Sequence, residues 1–388
     1  MLYPGRRGQC PRPLPGGLGR PGLQLHPGGI AGALCIRPAH LRPGGIRAAT
    51  NKKCTGSYVR QGNRVKFCIF VSRYRQFMKG PLFYSKILLF GEYGIIKDSR
   101  GLSIPYNFFK GALKTADPLK GAARESNENL RRFATYLETV SREFPDTGFD
   151  LDRLRDDLDA GLYFDSSIPQ GYGVGSSGAL VAAIYDRYAR NKVTILENLT
   201  REKLLDLKGI FGRMESFFHG KSSGLDPLNS YLSLPILINS RDHIESTSIP
   251  SQNPGGKGAV FLLDSGSVGE TAPMVQIFME KMKHEGFRSV IRDEFVRYTD
   301  ACVEDFISGN VKSLFGNIKK LSHVVLDHFK PMIPQEFHQL WKQGIETNAY
   351  YLKLCGSGGG GYILGFTEDL DKAKKALKGH RLEVVYNF

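Results

Sequence analysis

The stretch IPQGYGVGSSGALVAAIYDRYA, residues 168–189, constrains this chain more than any other segment. Its glycines are followed by two serines and then by an apolar run, so the sequence predicts a glycine loop that leads into a helix from Ser176. Glycines let a backbone approach an anion closely, and a helix start presents free N–H groups and a positive dipole end. The segment therefore predicts a phosphate-binding loop, and the alternative is a tight turn capped by serines.

Two widespread phosphate loops do not fit this stretch. GVGSSG, beginning at Gly173, formally matches the G-x-G-x-x-G of dinucleotide-binding folds. That fingerprint needs its first glycine directly after a strand and an acidic residue about 20 positions later, whereas PQGY intervenes here and the basic ARNK follows. No G-x-x-x-x-G-K-[ST] sequence is present, which excludes a P-loop. An NAD-dependent oxidoreductase is therefore disfavoured.

The formal net charge of +15 comes from one end of the chain. Residues 1–77 contain 14 Lys or Arg and no Asp or Glu, which leaves 39 basic against 38 acidic residues in the remainder. A nucleic-acid-binding function would rest on this tail alone, so we predict no nucleic-acid partner. The tail is rich in Pro, Gly and Arg without an apolar period. We predict that it is a disordered extension, or untranslated sequence upstream of a start at Met78.

From Met78 onward the pattern is that of a mixed α+β chain with a boundary near residue 240. Cys302 and Cys355 are the two cysteines of this part, which favours a reducing compartment, and no apolar run approaches the roughly 20 residues of a membrane span. We predict a cytoplasmic protein without a membrane partner. Helices are predicted over 127–144, from Ser176, from about Thr200, through most of 271–345 and at EDLDKAKKALK. The predicted strands are SKILLFGEYGII, which is broken by Gly91 and Gly94, and GLSIPYNFFKGAL, AGLYFDSSI, YLSLPILI, AVFLLDSG and LEVVY.

Two further segments point to a ligand site. ESFFHGKSSGLDPLNS places a Gly-Ser loop containing Asp226 after a helix that is predicted to end at Glu215. KLCGSGGGGYILGF carries five glycines, at 356 and 358–361, immediately before a strand. Because ordering such a run costs much conformational entropy, it suits a backbone that lies against a ligand better than one kept for packing.

Three segments, KILLFGEYGII, IPQGYGVGSSGAL and KLCGSGGGGYIL, follow one another in the order of the three GHMP kinase motifs. From about residue 80 to the end, the chain resembles this family of galactokinase, homoserine kinase, mevalonate kinase and phosphomevalonate kinase. The G-E pair and the loop HGKSSGLDP are most similar to bacterial mevalonate kinases. The resemblance implies a two-domain α+β GHMP kinase fold. Residues 78–240 would form an N-terminal domain with a left-handed βαβ unit and the phosphate loop, and 241–388 a C-terminal α/β domain.

The resemblance also implies an activity, the ATP-dependent phosphorylation of mevalonate to 5-phosphomevalonate. Asp226 would take the hydroxyl proton and Lys86 would stabilise the alkoxide and the phosphoryl oxygens, while Ser177 and Glu215 would hold Mg²⁺. The residues implied to bind ATP lie in the two glycine loops and are Gly171, Gly173, Gly175, Ser176, Ser177, Gly178, Gly358, Gly359 and Gly360. Glu92, His219 and Ser223 are implied to face the substrate. Phosphomevalonate, homoserine and sugar kinases remain alternatives, and a homodimer is left open.

The chain departs from the family motifs at a few positions. Phe83, Tyr84 and Ser85 stand in place of the usual A-P-G, and Tyr93 replaces the histidine of G-E-H. Gly178 replaces the alanine that follows the two serines. Lys86 is present, which argues against the related diphosphomevalonate decarboxylases, since they lack the lysine of the first motif.

Overall fold

The computed structural model describes residues 80–194 and 199–388, so the predictions for residues 1–77 lie outside the described residues. The strands are β1 (Phe83–Phe90), β2 (Gly101–Thr115), β3 (Leu162–Ser166), β4 (Ile236–Ser240), β5 (His243–Ser246), β6 (Ala259–Asp264), β7 (Tyr351–Leu354), β8 (Tyr362–Thr367) and β9 (Leu382–Asn387). The helices are α1 (Ala122–Glu143), α2 (Leu151–Asp159), α3 (Ser176–Tyr188), α4 (Arg201–His219), α5 (Leu225–Leu232), α6 (Thr271–Lys281), α7 (Glu285–Val290), α8 (Arg297–Ser308), α9 (Val311–His328), α10 (His338–Thr347) and α11 (Leu370–Ala376). A π-helical turn, Ile291–Val296, joins α7 to α8.

The first sheet is built around the long strand β2. The strand order is β1-β2-β4-β5, and β3 pairs with β2 as well. All of these pairs are antiparallel: Ile87 of β1 lies opposite Ile104, and Leu113 of β2 lies opposite Phe164 of β3. Because β2 has 15 residues, its two ends can pair with different strands, β4 at the start and β3 at the end.

The second sheet has the order β7-β8-β6-β9 and is also antiparallel throughout. Its central strands β6 and β8 are almost wholly buried, as expected for apolar segments covered on both faces. The two sheets share one apolar core. At their junction the ring of Phe90, at the end of β1, stacks on Phe366 of β8 with 5.5 Å between centroids.

The helices follow from the apolar pattern of their sequences. Helix α1 buries Leu130, Phe133, Leu137 and Val140, which recur every three or four residues on one face. Helix α3 is apolar nearly all round and is buried on most sides, packing against β1, β2, α4 and α5. Thr200 caps α4, since its side chain accepts a hydrogen bond from the backbone N–H of Lys203.

Most predicted elements are confirmed, with local corrections. Helix α4 does not end at Glu215 but continues to His219, so the Gly-Ser loop is shorter than predicted, and Asp226 lies in helix α5. The segment YLSLPILI is not one strand, because its first two residues end α5 and β4 begins at Ile236. The short elements α2 and β5 were not predicted, since each offers too few apolar residues to show a period.

The α+β fold class is confirmed for the described residues. The first sheet ends with β5 and the second begins with β6, so the change of sheet falls between residues 246 and 259. The division into domains at residue 240 stays a prediction. Among the residues that the structure describes, no helix combines the length and the apolar character needed to cross a membrane.

Candidate active site

Lys86 and Asp226, which are 140 positions apart in the sequence, are in contact in the fold. The Lys86 ammonium lies 2.8 Å from Asp226 Oδ1. Lys86 sits in the middle of β1, and its backbone N–H donates to the carbonyl of Val174 in the glycine stretch at 3.0 Å. Asp226 lies in the first turn of α5, which packs on β1. The side chain of Lys86 is 5% exposed and that of Asp226 is 36% exposed, so the carboxylate faces the solvent side of the pair.

The position of Asp226 depends on the packing of α5 against α3. Gly224 precedes α5 in the left-handed region, with φ of 75°, and Pro227 is tolerated because the N–H groups of a first helical turn have no partner within the helix. A Cβ on Gly178 of α3 would lie 2.7 Å from the carbonyl carbon of Asp226. The absence of a side chain at Gly178 therefore lets the two helices approach closely.

The charge of Lys86 is maintained by its partner. Burial alone would lower the pKa of Lys86, but the charge of Asp226 and the hydrogen bond to it outweigh burial, and the net pKa is raised. Lys86 is therefore a cation at neutral pH. A buried cation beside a partly exposed carboxylate can neutralise negative charge on one side of a reacting oxygen, while the carboxylate accepts a proton on the other.

Glu215 of α4 forms the centre of a second polar group in the same cleft. Its Oε1 accepts a hydrogen bond from Ser177 Oγ at 2.8 Å, and its Oε2 accepts one from Ser222 Oγ. His219 Nε2 lies 3.0 Å from the same Ser177 hydroxyl. Burial, and secondly the charge of Asp226, raise the pKa of Glu215 to about 7. The site therefore offers a carboxylate that a nearby cation would hold in its charged form.

The residues around Glu215 fit the Mg²⁺ that the family resemblance implies. Magnesium is bound through one or two carboxylates together with substrate phosphates and water, and a serine hydroxyl is a suitable oxygen ligand. Glu215 and Ser177 provide these two donors in contact with each other. Within 80–194 and 199–388, no group of three His, Cys, Asp or Glu side chains is placed to hold a metal ion unaided. Phosphate and water oxygens would complete the coordination.

The first glycine loop ends where α3 begins. Gly171, Gly173 and Gly175 line the cleft together with Ser176 and Ser177, and Gly175 precedes the helix with φ of 80°. A Cβ on Gly175 would lie 2.9 Å from Lys86 Cγ, so this glycine also makes room for the lysine. The N–H groups of the first turn of α3 have no partner within the helix, which suits a phosphate. Gly178 is buried behind the loop rather than on the cleft wall.

The second glycine loop, residues 356–361 between β7 and β8, lies against the first. A Cβ on Gly356 would lie 3.4 Å from the Cα of Gly173, and a Cβ on Gly361 would lie 2.6 Å from the Cα of Tyr172. Gly358 and Gly360 line the cleft, whereas Gly359 faces Met274. The two loops therefore form one continuous wall of backbone.

The cleft between these elements has a volume of about 1960 Å³, enough for a nucleotide and a second small molecule. One face of α4 runs along it and presents Leu205, Lys208, Gly212, Glu215 and His219, which are spaced three or four residues apart. Lys208 is two helical turns from Glu215, which corresponds to about 10 Å along the axis. Beside it, the cleft is lined by Arg241, whose carbonyl accepts a hydrogen bond from the Lys208 ammonium at 2.6 Å.

The three residues implied to face the substrate have different environments. His219 is exposed at the end of α4 beside Ser177, and Ser223 is exposed in the loop before α5, where its hydroxyl accepts from the Leu225 N–H at 3.4 Å. Glu92 borders the cleft, but it is buried and its carboxylate is in contact with the Lys353 ammonium. Their roles in substrate binding stay predictions.

Three residues of the site were not singled out from the sequence, namely Ser222, Lys208 and Lys353. Ser222 is next to Ser223, which was predicted to face the substrate. It lies seven positions after Glu215, a separation that one further helical turn and a short loop can bridge. Lys208 could have been found from its place on the face of α4 that carries Glu215. Lys353 carried no signal, because a lysine in a four-residue strand is ordinarily exposed.

A family comparison and a fold comparison agree on this architecture. Residues 132–233, which include the first glycine loop, α3 and the Asp226 helix, match the family description "GHMP kinases N terminal domain". The fold is similar to that of L. major mevalonate kinase, solved in complex with R-mevalonate, with a TM-score of 0.54. That similarity covers 79% of this chain and 95% of the other, at 17% sequence identity.

The chain has the GHMP kinase fold, and residues 132–233 match the N-terminal domain of that family.

Other solved structures share the GHMP kinase fold. Streptococcus pneumoniae phosphomevalonate kinase, in complex with phosphomevalonate and AMPPNP, is similar with a TM-score of 0.53 and 13% identity, over 79% of this chain and 99% of that one. Lactococcus lactis galactokinase, complexed with galactose, has a TM-score of 0.50 and 12% identity, over 79% and 92% of the two chains. No curated protein matches the sequence. At these identities the structures show the fold alone.

Proposed function

We propose that this protein is a GHMP kinase, and that it transfers the γ-phosphoryl group of ATP to the hydroxyl of mevalonate, giving 5-phosphomevalonate and ADP. The observation that carries the proposal is the 2.8 Å contact between Lys86 and Asp226 in a cleft walled by two glycine loops. Phosphoryl transfer depends mainly on positioning and on the neutralisation of charge, and this pair supplies a cation and a proton acceptor at one point.

The roles of the residues follow from their positions. Asp226 accepts the proton of the acceptor hydroxyl as its oxygen forms a bond to the γ-phosphorus, and the bond from that phosphorus to the β,γ-bridging oxygen breaks to release ADP. Lys86 stabilises the charge on the attacking and phosphoryl oxygens. Ser177 and Glu215 would hold Mg²⁺, which when bound neutralises phosphate charge. The first turn of α3 and the loop 356–361 bind the phosphates through backbone N–H groups.

The far end of the cleft favours an acidic acceptor. Lys208 lines this end, and its pKa is lowered, firstly by burial and then by the charge of Arg241, against the opposing charge of Asp242. Burial removes water from the Lys208 ammonium, and the positive charge of Arg241 repels it. An anion placed between Lys208 and Arg241 would offset both effects. A small hydroxy acid can place its hydroxyl at Asp226 and its acid group at Lys208. This supports mevalonate over a neutral sugar.

Phosphomevalonate is the second candidate acceptor, because two adjacent cations also suit a phosphate group. The deciding experiment is an assay of ADP release by the full chain with mevalonate, phosphomevalonate, homoserine and galactose. We expect the largest kcat/KM with mevalonate. A preference for galactose would contradict the role of Lys208, and no turnover with any of the four would contradict the proposed acceptor class.

Replacing Lys208 tests the acceptor end of the cleft separately from the nucleotide end. For Lys208→Ala we expect KM for mevalonate to rise about tenfold or more, the loss expected from one charge-assisted hydrogen bond, while KM for ATP is unchanged. Lys221→Ala is the matched control, since Lys221 lines the same cleft but is exposed. An equal effect of both changes, or a rise in KM for ATP alone, would contradict this placement of the acceptor.

A cytoplasmic location accompanies the proposal as a prediction, and a homodimer is left open. The proposed reaction uses two small molecules and needs neither a nucleic acid nor a membrane. Sedimentation of the purified chain would give the oligomeric state.

A further inference from the structure

A buried ion pair joins the first sequence motif to the strand that leads into the second glycine loop. The Lys353 ammonium lies 2.5 Å from Glu92 Oε1 and also donates to the carbonyl of Leu354 at 2.8 Å. The two side chains are 3% and 5% exposed, although they are separated by 261 positions in the sequence. Glu92 follows β1, which carries Lys86, and Lys353 lies on β7 three residues before Gly356.

The surroundings of this pair are mostly apolar. Phe295, Leu321 and Val325 line a cavity of about 10 Å³ beside it. Burial raises the pKa of Glu92, and the charge of Lys353 opposes that rise without cancelling it. Taking two charges out of water is unfavourable, and buried ion pairs can often be replaced by apolar side chains with no loss of stability. Stability alone therefore does not account for Glu92 and Lys353.

A second contact joins the same two segments. Tyr93 donates a hydrogen bond from its hydroxyl to the carbonyl of Ser357, inside the glycine loop, at 2.6 Å. The ring of Tyr93 is buried and stacks on Phe278, with 4.7 Å between centroids, and its backbone has a φ of 57°. A non-glycine residue in this region is uncommon, so the surrounding structure holds Tyr93 in a defined orientation.

The loop itself needs such external contacts to adopt one conformation. All five of its glycines have positive φ, and glycine loses more freedom on ordering than other residues. Backbone hydrogen bonds from Gly359 to Met332 and from Gly361 to Ser267 hold the loop to its own half of the chain, each at 2.6 Å. The contacts from Glu92 and Tyr93 instead connect it with the segment that carries Lys86.

We propose that Glu92–Lys353 and Tyr93–Ser357 form a two-point clamp that fixes the loop 356–361 relative to Lys86, so that the ATP phosphates meet a preformed site. The inference rests on the proposed function in one respect, that this loop contacts ATP. Glu92, Tyr93 and Lys353 act as positioning residues, since the ion pair and the Tyr93 hydroxyl face the loop and its strand. A loop held in its binding conformation does not spend binding energy on ordering, and this raises affinity.

The test uses Lys353→Met, Tyr93→Phe and the charge-neutral pair Glu92→Gln/Lys353→Met in the full chain. Two quantities are measured, the Kd of ATP with Mg²⁺ and the amide hydrogen exchange of residues 356–361 without ligand. We expect exchange in the loop to accelerate and the Kd to rise about tenfold or more for each change, with KM for the acceptor unchanged in Tyr93→Phe and Lys353→Met. Where Lys353→Met leaves an unpaired carboxyl and fails to fold, the charge-neutral pair keeps the test available.

Matched controls separate positioning from general destabilisation. Tyr350→Phe removes another buried tyrosine hydroxyl, which donates to the Leu340 carbonyl at 2.9 Å. Lys342→Met removes a lysine from an exposed ion pair with Glu346. Neither change should alter ATP binding or exchange in the loop. Normal ATP affinity and normal loop exchange in the folded clamp variants would overturn the clamp. If the unaltered protein does not bind ATP, the proposed function fails, and the exchange measurement still decides whether the clamp orders the loop.

Discussion

At the scale of single residues, two carboxylates in the cleft have different surroundings. Asp226 is partly exposed and is paired with the Lys86 cation. Glu215 is buried, and the hydroxyls of Ser177 and Ser222 donate to its two oxygens. Asp226 faces the cleft, where it can accept a proton from a hydroxyl beside Lys86, whereas Glu215 and the Ser177 hydroxyl together offer the oxygen ligands that Mg²⁺ prefers. The two changes below test these roles separately.

For Asp226→Asn we expect kcat to fall by about 10²–10⁴-fold, the usual contribution of a general base, while ATP still binds. The amide keeps the shape of the side chain but accepts no proton from the hydroxyl. Lys86→Met should also reduce kcat, and the double variant should lose less than the product of the two factors because both residues act on one transition state. Asp152→Asn, at a residue 90% exposed, is the control. Turnover of the Asp226 variant at the normal rate would rule out the proposed base.

For Glu215→Gln we expect a change in the pH dependence of stability without ligands. The folded pKa of Glu215, about 7, lies above its ordinary value of 4.5, so the stability contributed by this group is complete below pH 4.5 and is lost as the pH rises through 7. The glutamine does not titrate. Between pH 5 and pH 8, urea unfolding should show that the unaltered protein loses more stability than the variant does, on the order of 1–3 kcal/mol. Parallel pH profiles would contradict the raised pKa.

At the scale of secondary-structure elements, the contact between α3 and α5 places the base beside the phosphate loop. Helix α3 follows the glycine loop, and α5 carries Asp226 in its first turn. Gly178 lies where the two helices meet, close to the backbone of Asp226 and Pro227. The family motif has alanine at this position, so in this chain the two helices are packed more closely than an alanine would allow without a shift.

For Gly178→Ala we expect a loss of stability of about 1–3 kcal/mol and a decrease in kcat, because the added methyl group must displace α5 and with it Asp226. Gly316→Ala is the matched control, since Gly316 is also helical but has open space around its Cβ position. That change should stabilise α9 by about 0.5–1 kcal/mol. Thermal unfolding and steady-state kinetics measure both effects. A Gly178 variant as stable and active as the control variant would show that the helices can separate freely.

At the scale of the whole molecule, the two sheets are joined through one apolar core. Phe90 is fully buried at the end of β1 and contacts Phe366 of the second sheet and Phe306 of α8. One wall of the cleft is formed by the two glycine loops, which follow strands of different sheets, so its geometry depends on this junction. The proposed clamp of Glu92 and Tyr93 follows the same strand two residues later.

For Phe90→Ala we expect a loss of about 3–5 kcal/mol in the free energy of unfolding, from lost burial and the cavity that remains. Because the ring contacts both sheets, the hydrogen-exchange protection of β3 and β9 should fall together. Phe108→Ala is the control, since that ring is 55% exposed, and surface changes of this kind usually stay within about 0.5 kcal/mol. A loss of protection confined to one sheet would indicate that the sheets unfold independently.

The sequence alone determined the features that depend on local chemistry. Turn geometry, capping and periodicity act over a few positions, so neighbouring residues are enough to predict them. This holds for the glycine loop before α3, the Thr200 cap of α4 and the apolar faces of the helices. The family motifs additionally marked Lys86, Glu215 and Asp226 as site residues, although no spacing rule connects positions so far apart. The helical start of α5 was missed, since glycine and proline around Asp226 indicate a turn as readily as a first helical turn.

Only the tertiary structure decided which distant groups meet. The family resemblance already implied that Lys86 and Asp226 act at one point, but it did not indicate that Ser222 contacts Glu215 or that Lys353 contacts Glu92. The structure also shows that Gly178 and Gly359 do not line the cleft. The physical reason is that these contacts depend on how strands and helices pack, and packing is set by the sum of many burial terms spread over the chain. The sequence around a lysine in a short strand does not indicate which carboxylate it will pair with. Its burial, and hence its proposed role, exists only once both sheets are assembled.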